Sequence, residues 1–248
     1  MREIVVAAGT SVGMKRDHNE DLYLVQAPAD EELADRKGWL LIVADGMGGH
    51  ASGEVAAQIV VDNLAHSYLS ATDEDASSAL QRGFVAANQA VREQAAADAD
   101  KAGMGATCVA AALRGDQMIT AHAGDCRAYL YRDGALQRLT TDHSFVQQLV
   151  SDHIIGESEA MSHPRRNLVT RAVGKVEDLE AEIGVHTLEA GDLILLCSDG
   201  LCGVVEDEDL VTLVADHADL EKTVRRLINA ANSAGGPDNI TVVVAEIQ

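Results

Sequence analysis

The chain has 248 residues, 47% of them apolar and only 3% aromatic. That is enough for one large domain or two small ones, with a core resting on Ala, Val, Leu and Ile. Lys and Arg number 19 against 40 Asp and Glu, a formal net charge of -21, and such a surface repels nucleic acid and anionic lipid, which are bound mainly through neutralised phosphates. No apolar run approaches the roughly 20 residues needed to cross a bilayer, and the start MREIVVAAGT lacks the longer apolar stretch of a signal peptide. A cytoplasmic location, with no membrane or nucleic-acid partner, is the expectation.

Taken in chain order, RDHNED brings Glu20 and Asp21 just ahead of a first strand, YLV near residue 23. The run LLIVA at 40–44 reads as a second strand, which ends in Asp45 and the glycines of DGMGGHASG. Ala56, Ile59, Val60, Leu64 and Tyr68 then fit one helical face, and Leu80, Phe84, Ala87 and Val91 another. Strands follow at ATCVAAAL (106–113), QMITAHAG (117–124) and AYLY (128–131). YLYRDGALQRL is a hairpin whose turn is Asp133-Gly134. Residues 144–171 are polar and irregular and read as a surface flap with a short helix. After the strand DLILLCS (192–198), Leu210, Leu213, Val214 and His217 make a third helical face, and Leu220, Val224, Leu227, Ile228 and Ala231 a fourth. Gly235-Gly236-Pro237 stops that helix before a last strand, NITVVVAEI (239–247). Two helix pairs separated by hairpin-connected strands predict a mixed α+β domain rather than alternating βαβ units.

Four aspartates share one grammar. Asp45, Asp125, Asp199 and Asp238 each adjoin a strongly apolar strand, and the first three also adjoin a glycine directly. A single aspartate there is ordinary turn chemistry. Several gathered at one edge of a sheet would repel one another, and some would stay protonated unless cations intervened. Oxygen-only ligation suits Mg²⁺ or Mn²⁺, whereas zinc favours His and Cys. Asp45 is then at home in a phosphate site because metal lies between the two, and Gly46 lets a backbone carbonyl or a phosphate approach without a Cβ in the way. The glycines of ADGMGGHASG are not spaced as GxGxxG and no GKS or GKT follows, so neither a dinucleotide fold nor a P-loop is supported. Cys108, Cys126, Cys197 and Cys202 form no CxxC pair, and the nine histidines form no HExxH cluster. The cysteines read as reduced thiols, three of them inside apolar runs.

With these residues assembled, the sequence resembles the metal-dependent type 2C serine/threonine protein phosphatases in their compact bacterial form. The resemblance runs in order through GMKRDHNED (13–21), VADGMGGHASGE (43–54), GATCVAAAL (105–113) and AGDCRAYL (123–130). It continues through LTTDHS (139–144), RNLVTRAVG (166–174), LCSDGL (196–201) and GGPDNITVVV (235–244). It implies a four-layer αββα sandwich of two antiparallel sheets flanked by helix pairs, with 1–248 forming a single catalytic domain and a flap at about 144–171. It implies two core ions, Mg²⁺ or Mn²⁺, and a third, weaker one. By matching position, Asp45 bridges the two core ions, the Gly46 carbonyl binds one of them, and Asp199 and Asp238 complete the first ion's protein ligands. Asp21, beside Glu20, acts mostly through bound water, Asp125 with Asp199 holds the third ion, and Arg16 holds the substrate phosphate. The implied reaction is hydrolysis of phosphoserine and phosphothreonine in proteins by a metal-activated water, without a phospho-enzyme. The implied partners are phosphorylated substrates of a serine/threonine kinase, and the implied state is a monomer.

Two positions depart from the family pattern. Met47 stands where many eukaryotic relatives have a histidine taken as general acid, so water or another residue must protonate the leaving group. Cys126 stands where serine is common. His50 and His143 are near in the motifs and read as structural. Arg165 and Arg166 in the flap could meet acidic or phosphorylated partners or simply be solvated. A phosphoprotein-binding protein without chemistry would have lost ligands, and here all are present. A hydrolase of small phosphate esters would need a closed specificity pocket, which no stretch of the sequence provides.

Overall fold

A computed structural model describes residues 3–48, 52–71 and 75–248. The strands are β1 (Ile4–Ser11), β2 (Asp21–Gln26), β3 (Trp39–Met47), β4 (Gly105–Arg114), β5 (Gln117–Ala123), β6 (Arg127–Arg132), β7 (Ala135–Arg138), β8 (Glu182–Thr187), β9 (Leu193–Cys197) and β10 (Ile240–Ile247). The α-helices are α1 (Glu31–Arg36), α2 (Ser52–Ser70), α3 (Ala76–Ala97), α4 (Phe145–Ser151), α5 (Glu157–Ser162), α6 (Asp199–Cys202), α7 (Asp207–Ala215) and α8 (Leu220–Ser233). Two five-stranded antiparallel sheets result, ordered β1-β10-β9-β6-β7 and β2-β3-β4-β5-β8. Helices α2 and α3 cover the second sheet, and α6 to α8 cover the first. The expected four-layer αββα sandwich is the observed architecture.

The unbroken apolar runs follow from this layering. Alternate residues of a strand point to opposite faces, and here both faces are buried. In β3, Leu40, Ile42 and Ala44 pack against α2 and α3, while Leu41 and Val43 pack between the sheets. In β10, Val242 and Val244 meet α8, while Val243, Ala245 and Ile247 meet the other sheet. The outer strands β1 and β8 are only partly covered, with Val185 63% exposed. Strand β8 lacks a continuous apolar run, whereas β1 opens on the run Ile4–Ala8, and the sequence reading expects a strand at neither. The β6–β7 hairpin turns through Asp133 and Gly134, both at positive φ (52° and 82°), the backbone a two-residue turn of this hand requires.

Three further details differ from the sequence reading. A short helix, α1, forms where Asp30 caps the backbone N–H of Leu33 at 2.8 Å. Helix α7 stops at Ala215, so His217 lies beyond it. The 144–171 segment holds two short helices, α4 and α5, and its stems meet in a bridge between Ser144 and Val169. Among the described residues, no helix is long and apolar enough to cross a membrane.

One buried side chain ties the N-terminal loop to the end of β10. Asn239 Oδ1 accepts from the Glu20 backbone N–H at 2.8 Å, and its Nδ2 donates to the carbonyls of Val12 (2.9 Å) and His18 (3.0 Å). Gly13 fits beneath at φ 82°, where a Cβ would stand 2.1 Å from the Asp238 carbonyl oxygen. Asn239→Ala leaves three polar groups without this partner and should cost about 2–3 kcal/mol in chemical denaturation. A cost below about 0.5 kcal/mol, the level of a neutral surface change, would mean that the loop is held by other contacts.

Candidate metal centre

The antiparallel register sets Asp21, the first residue of β2, directly opposite Asp45 in β3. On its other side Asp45 faces Thr107 of β4. Asp45 does not end its strand, because β3 continues through Gly46 and Met47. Gly49 and His50, from the expected glycine turn, lie outside the described residues. Asp125 comes from the turn between β5 and β6, Asp199 opens α6 immediately after β9, and Asp238 immediately precedes the segment leading into β10. Arg16 reaches across from the N-terminal loop, its Nη2 donating to Asp238 Oδ2 at 2.7 Å. All the aspartates expected from the sequence therefore come to one edge of the sandwich, with Arg16 beside them.

Gly46 is needed for close packing, and its neighbour is protein backbone. A Cβ on Gly46 would stand 2.1 Å from the Gly53 carbonyl oxygen and 2.7 Å from that of Glu20. The Gly46 N–H donates to the Glu20 carbonyl at 3.1 Å, and the Gly53 N–H donates to Glu20 Oε1 at 3.2 Å. The first turn of α2 thus presses on β3 with Glu20 wedged between them, so Glu20 has a bracing role at this contact.

The carboxylates are short of partners. Ser198 Oγ donates to Asp21 Oδ2 at 2.7 Å and accepts from the Thr241 N–H at 3.0 Å. Among the described residues, Asp21 Oδ1 and Asp199 Oδ1 are buried with no hydrogen-bond partner, and such orphaned acceptors are uncommon away from sites of function. Burial, with the charge of Asp238 adding to it, pushes the Asp21 and Asp199 carboxyls up to about 6. Burial and then Asp199 push Asp125 up to about 8. Asp45 is held well above the usual carboxylate range, first by burial and then by Asp21, Asp199, Asp125 and Asp238. Five crowded acids, two orphaned oxygens and an all-oxygen donor set fit divalent cations of the Mg²⁺ or Mn²⁺ type.

Two clefts meet at this point. One, of about 640 Å³, runs from Arg16, Asp199 and Asp238 between the flap residues Val146, Val150 and Met161 and the loop at Val204 and Val205. The other, of about 560 Å³, holds Asp45, Gly46, Met47 and Arg171. Asn167 of the flap borders both. Arg166 lines the first cleft, while Arg165 lies over the Phe145 ring at 5.6 Å.

The sequence model of the family described as "Protein phosphatase 2C" matches residues 8–240. The chain belongs to that family. It is 40% identical over 241 residues to the serine/threonine protein phosphatase PstP of Mycobacterium tuberculosis, covering 97% of this chain and 44% of that protein. The chain thus spans less than half the length of that relative. The serine/threonine phosphatase stp of Listeria innocua is 35% identical over 96% of this chain and 93% of its own. A crystal structure of the PstP catalytic domain in complex with two manganese ions superposes with a TM-score of 0.86 at 38% identity, covering 100% of this chain and 99% of that one. The fold expected for protein phosphatase 2C is the fold described above.

Several residues that complete the site were not singled out in the sequence. Ser198 and Asn239 sit one position from Asp199 and Asp238 and orient Asp21 and the Arg16 loop. Arg127 grips Asp142 through two bonds, Nε to Oδ1 at 2.9 Å and Nη2 to Oδ2 at 2.8 Å. For Ser198 and Asn239, adjacency to a ligand within a motif was the signal, and the Arg127–Asp142 pair had none. Cys126 shares a 3.2 Å contact with Thr107 Oγ1, and burial pushes its thiol well up, so it remains a protonated core group.

Carboxyls whose pKa is raised by folding stabilise the native state below their unfolded value of about 4, and that contribution is lost as pH rises through 6 to 8. In EDTA-treated protein, Asp45→Asn should therefore raise the thermal midpoint at pH 8, because it removes the most crowded of the carboxylates. At pH 5 the variant should gain less, and it should lose most of the stabilisation that Mn²⁺ gives the wild type. A variant less stable than wild type at pH 8 without metal would contradict the crowding.

Proposed function

We propose that this protein hydrolyses phosphoserine and phosphothreonine esters in proteins, with Asp21, Asp45, the Gly46 carbonyl, Asp125, Asp199 and Asp238 holding divalent cations and Arg16 holding the substrate phosphate. The observation that carries the reading is the convergence of four aspartates on Asp45 with one arginine beside them. Two cations bound there supply Lewis acidity and make a water nucleophilic near neutral pH. The protein's own part is positioning. Asp45 feels the charge of the other four aspartates, so it would be a ligand to the cations held there.

Arg16 is half-exposed, and among the described residues one of its donors is taken by Asp238. Its planar fork can turn the rest toward phosphoryl oxygens, and a charge-assisted pair of this kind fixes orientation as well as affinity. It also supplies local positive charge that the net charge of -21 would otherwise deny to an anionic substrate. Met47 borders the second cleft and has no proton to give, so water or another residue must protonate the leaving oxygen. The open double cleft suits a polypeptide better than a small ester. We read 1–248 as one catalytic domain with its flap at 144–171, working as a monomer in the cytoplasm on the products of a serine/threonine kinase.

Phosphate release from a phosphothreonine peptide should require Mn²⁺ or Mg²⁺, stop with EDTA, and fall by at least about a hundredfold in Asp199→Asn. Metal-independent release, or near-normal turnover in that variant, would overturn the assignment. Arg16→Ala should raise KM roughly tenfold or more, from the loss of a charge-assisted hydrogen bond, while calorimetry shows Mn²⁺ binding intact. An unchanged KM would remove Arg16 from the phosphate site.

A further inference from the structure

We propose that His143 is a positioning residue for Asp125, fastening the loop that carries this carboxylate to both stems of the flap. The inference rests on the reading of Asp125 as a ligand of the outer, weaker cation. Three groups of His143 take part. Its backbone N–H donates to the Gly124 carbonyl at 2.9 Å, and its ring Nδ1 accepts from the Gly124 N–H at 3.1 Å. Gly124, the immediate neighbour of Asp125, is therefore held on both its polar groups by one residue. The His143 carbonyl accepts from the Thr170 N–H at 2.7 Å, where the flap returns, and Ser144 starts the bridge to Val169.

The loop itself has little freedom to replace this clasp. Gly124 sits at φ 115°, and a Cβ there would stand 2.2 Å from the Thr107 side chain. Downstream, Arg127 is gripped by Asp142, the residue before His143. Asp142 and His143 therefore hold the Asp125 loop from both sides, one by a charged pair and one by a ring nitrogen.

The ring's orientation is fixed by its surroundings. His143 stacks on His122 at 4.6 Å between centroids and 10° between planes, and His122 Nε2 donates to the Thr141 carbonyl at 2.9 Å. His122, His143 and Glu182 together have the composition of a metal site, with ligand atoms within 4.8 Å of one another. The hydrogen bonds exclude that use. Because Nδ1 accepts from Gly124, the neutral ring carries its proton on Nε2, which faces Glu182 Oε2 at 3.3 Å. Arg171 Nη1 lies 3.3 Å from the same nitrogen and adds positive charge. The grouping is a hydrogen-bonded clasp whose free acceptor is spent on the Asp125 loop. Residues that orient a metal ligand without touching the metal commonly change metal affinity by about 10–100-fold when altered.

The test compares His143→Asn, whose side-chain oxygen falls near the place of Nδ1, with His143→Gln, whose polar end falls near Nε2, and with His143→Leu. Mn²⁺ calorimetry on each is read beside Asp125→Asn, which should lose the weak binding component. His143→Leu and His143→Gln should weaken that component by at least about tenfold and leave the tight component unchanged, while His143→Asn stays within about threefold of wild type. The Mn²⁺ dependence of phosphate release should shift in the same order. Equal Mn²⁺ binding in all three variants, with only thermal stability lowered, would overturn the proposal, and so would a His143→Asn as impaired as His143→Leu. Absence of phosphate release by the wild type would overturn the phosphatase reading instead, since the calorimetric comparison does not depend on turnover.

Discussion

Everything at this site follows from a repulsion. Two sheets bring the carboxylates of Asp21, Asp45, Asp125, Asp199 and Asp238 to one edge, where burial and mutual charge hold Asp45 far from its ordinary ionisation. Left to itself, such a cluster favours protonation or local opening. The fold keeps it closed by bonding around the carboxylates more than to them. Ser198 takes one oxygen of Asp21, Asn239 pins the Glu20 backbone, and Glu20 braces Gly46 against Gly53. The oxygens left over are the ones a cation would take.

That arrangement explains how an acidic protein can act on an anion. The global charge repels phosphate, and the crowded aspartates make the repulsion worst where the phosphate must go. Under the function proposed above, cations held there would reverse the sign locally, and Arg16, tethered to Asp238, would extend the reversed patch toward solvent. Metal and arginine answer the same electrostatic problem at two depths.

Much of this was legible in the sequence because the buried strands announce themselves. Apolar runs covered on both faces, such as Leu40–Ala44 and Ile240–Ile247, end near the aspartates that matter, and the motifs name their order. The edge strand β8 was not legible, because its half-exposed residues carry no run and its pairing is decided by a distant partner, while β1 was passed over although it opens on the apolar run Ile4–Ala8. The supporting polar groups were hidden for a related reason. A serine, an asparagine or the Arg127–Asp142 pair has no periodicity, and its value depends on what the fold brings opposite it. Gly46 shows the limit most clearly: that glycine was required is visible in the sequence, but the backbone it admits is that of Gly53.

The meeting of two clefts on either side of Asn167 carries a consequence for the geometry of substrates. A blind pocket demands a protruding end or a small molecule, whereas a trench with two exits lets a chain enter and leave. Under the function proposed above, a phosphorylated residue in the middle of an exposed loop would lie across the aspartate edge with its neighbours running out in both directions, and no terminus would have to be threaded. Selection falls to how far a loop stands clear of its own protein's surface, a property of the partner's shape as much as of its sequence.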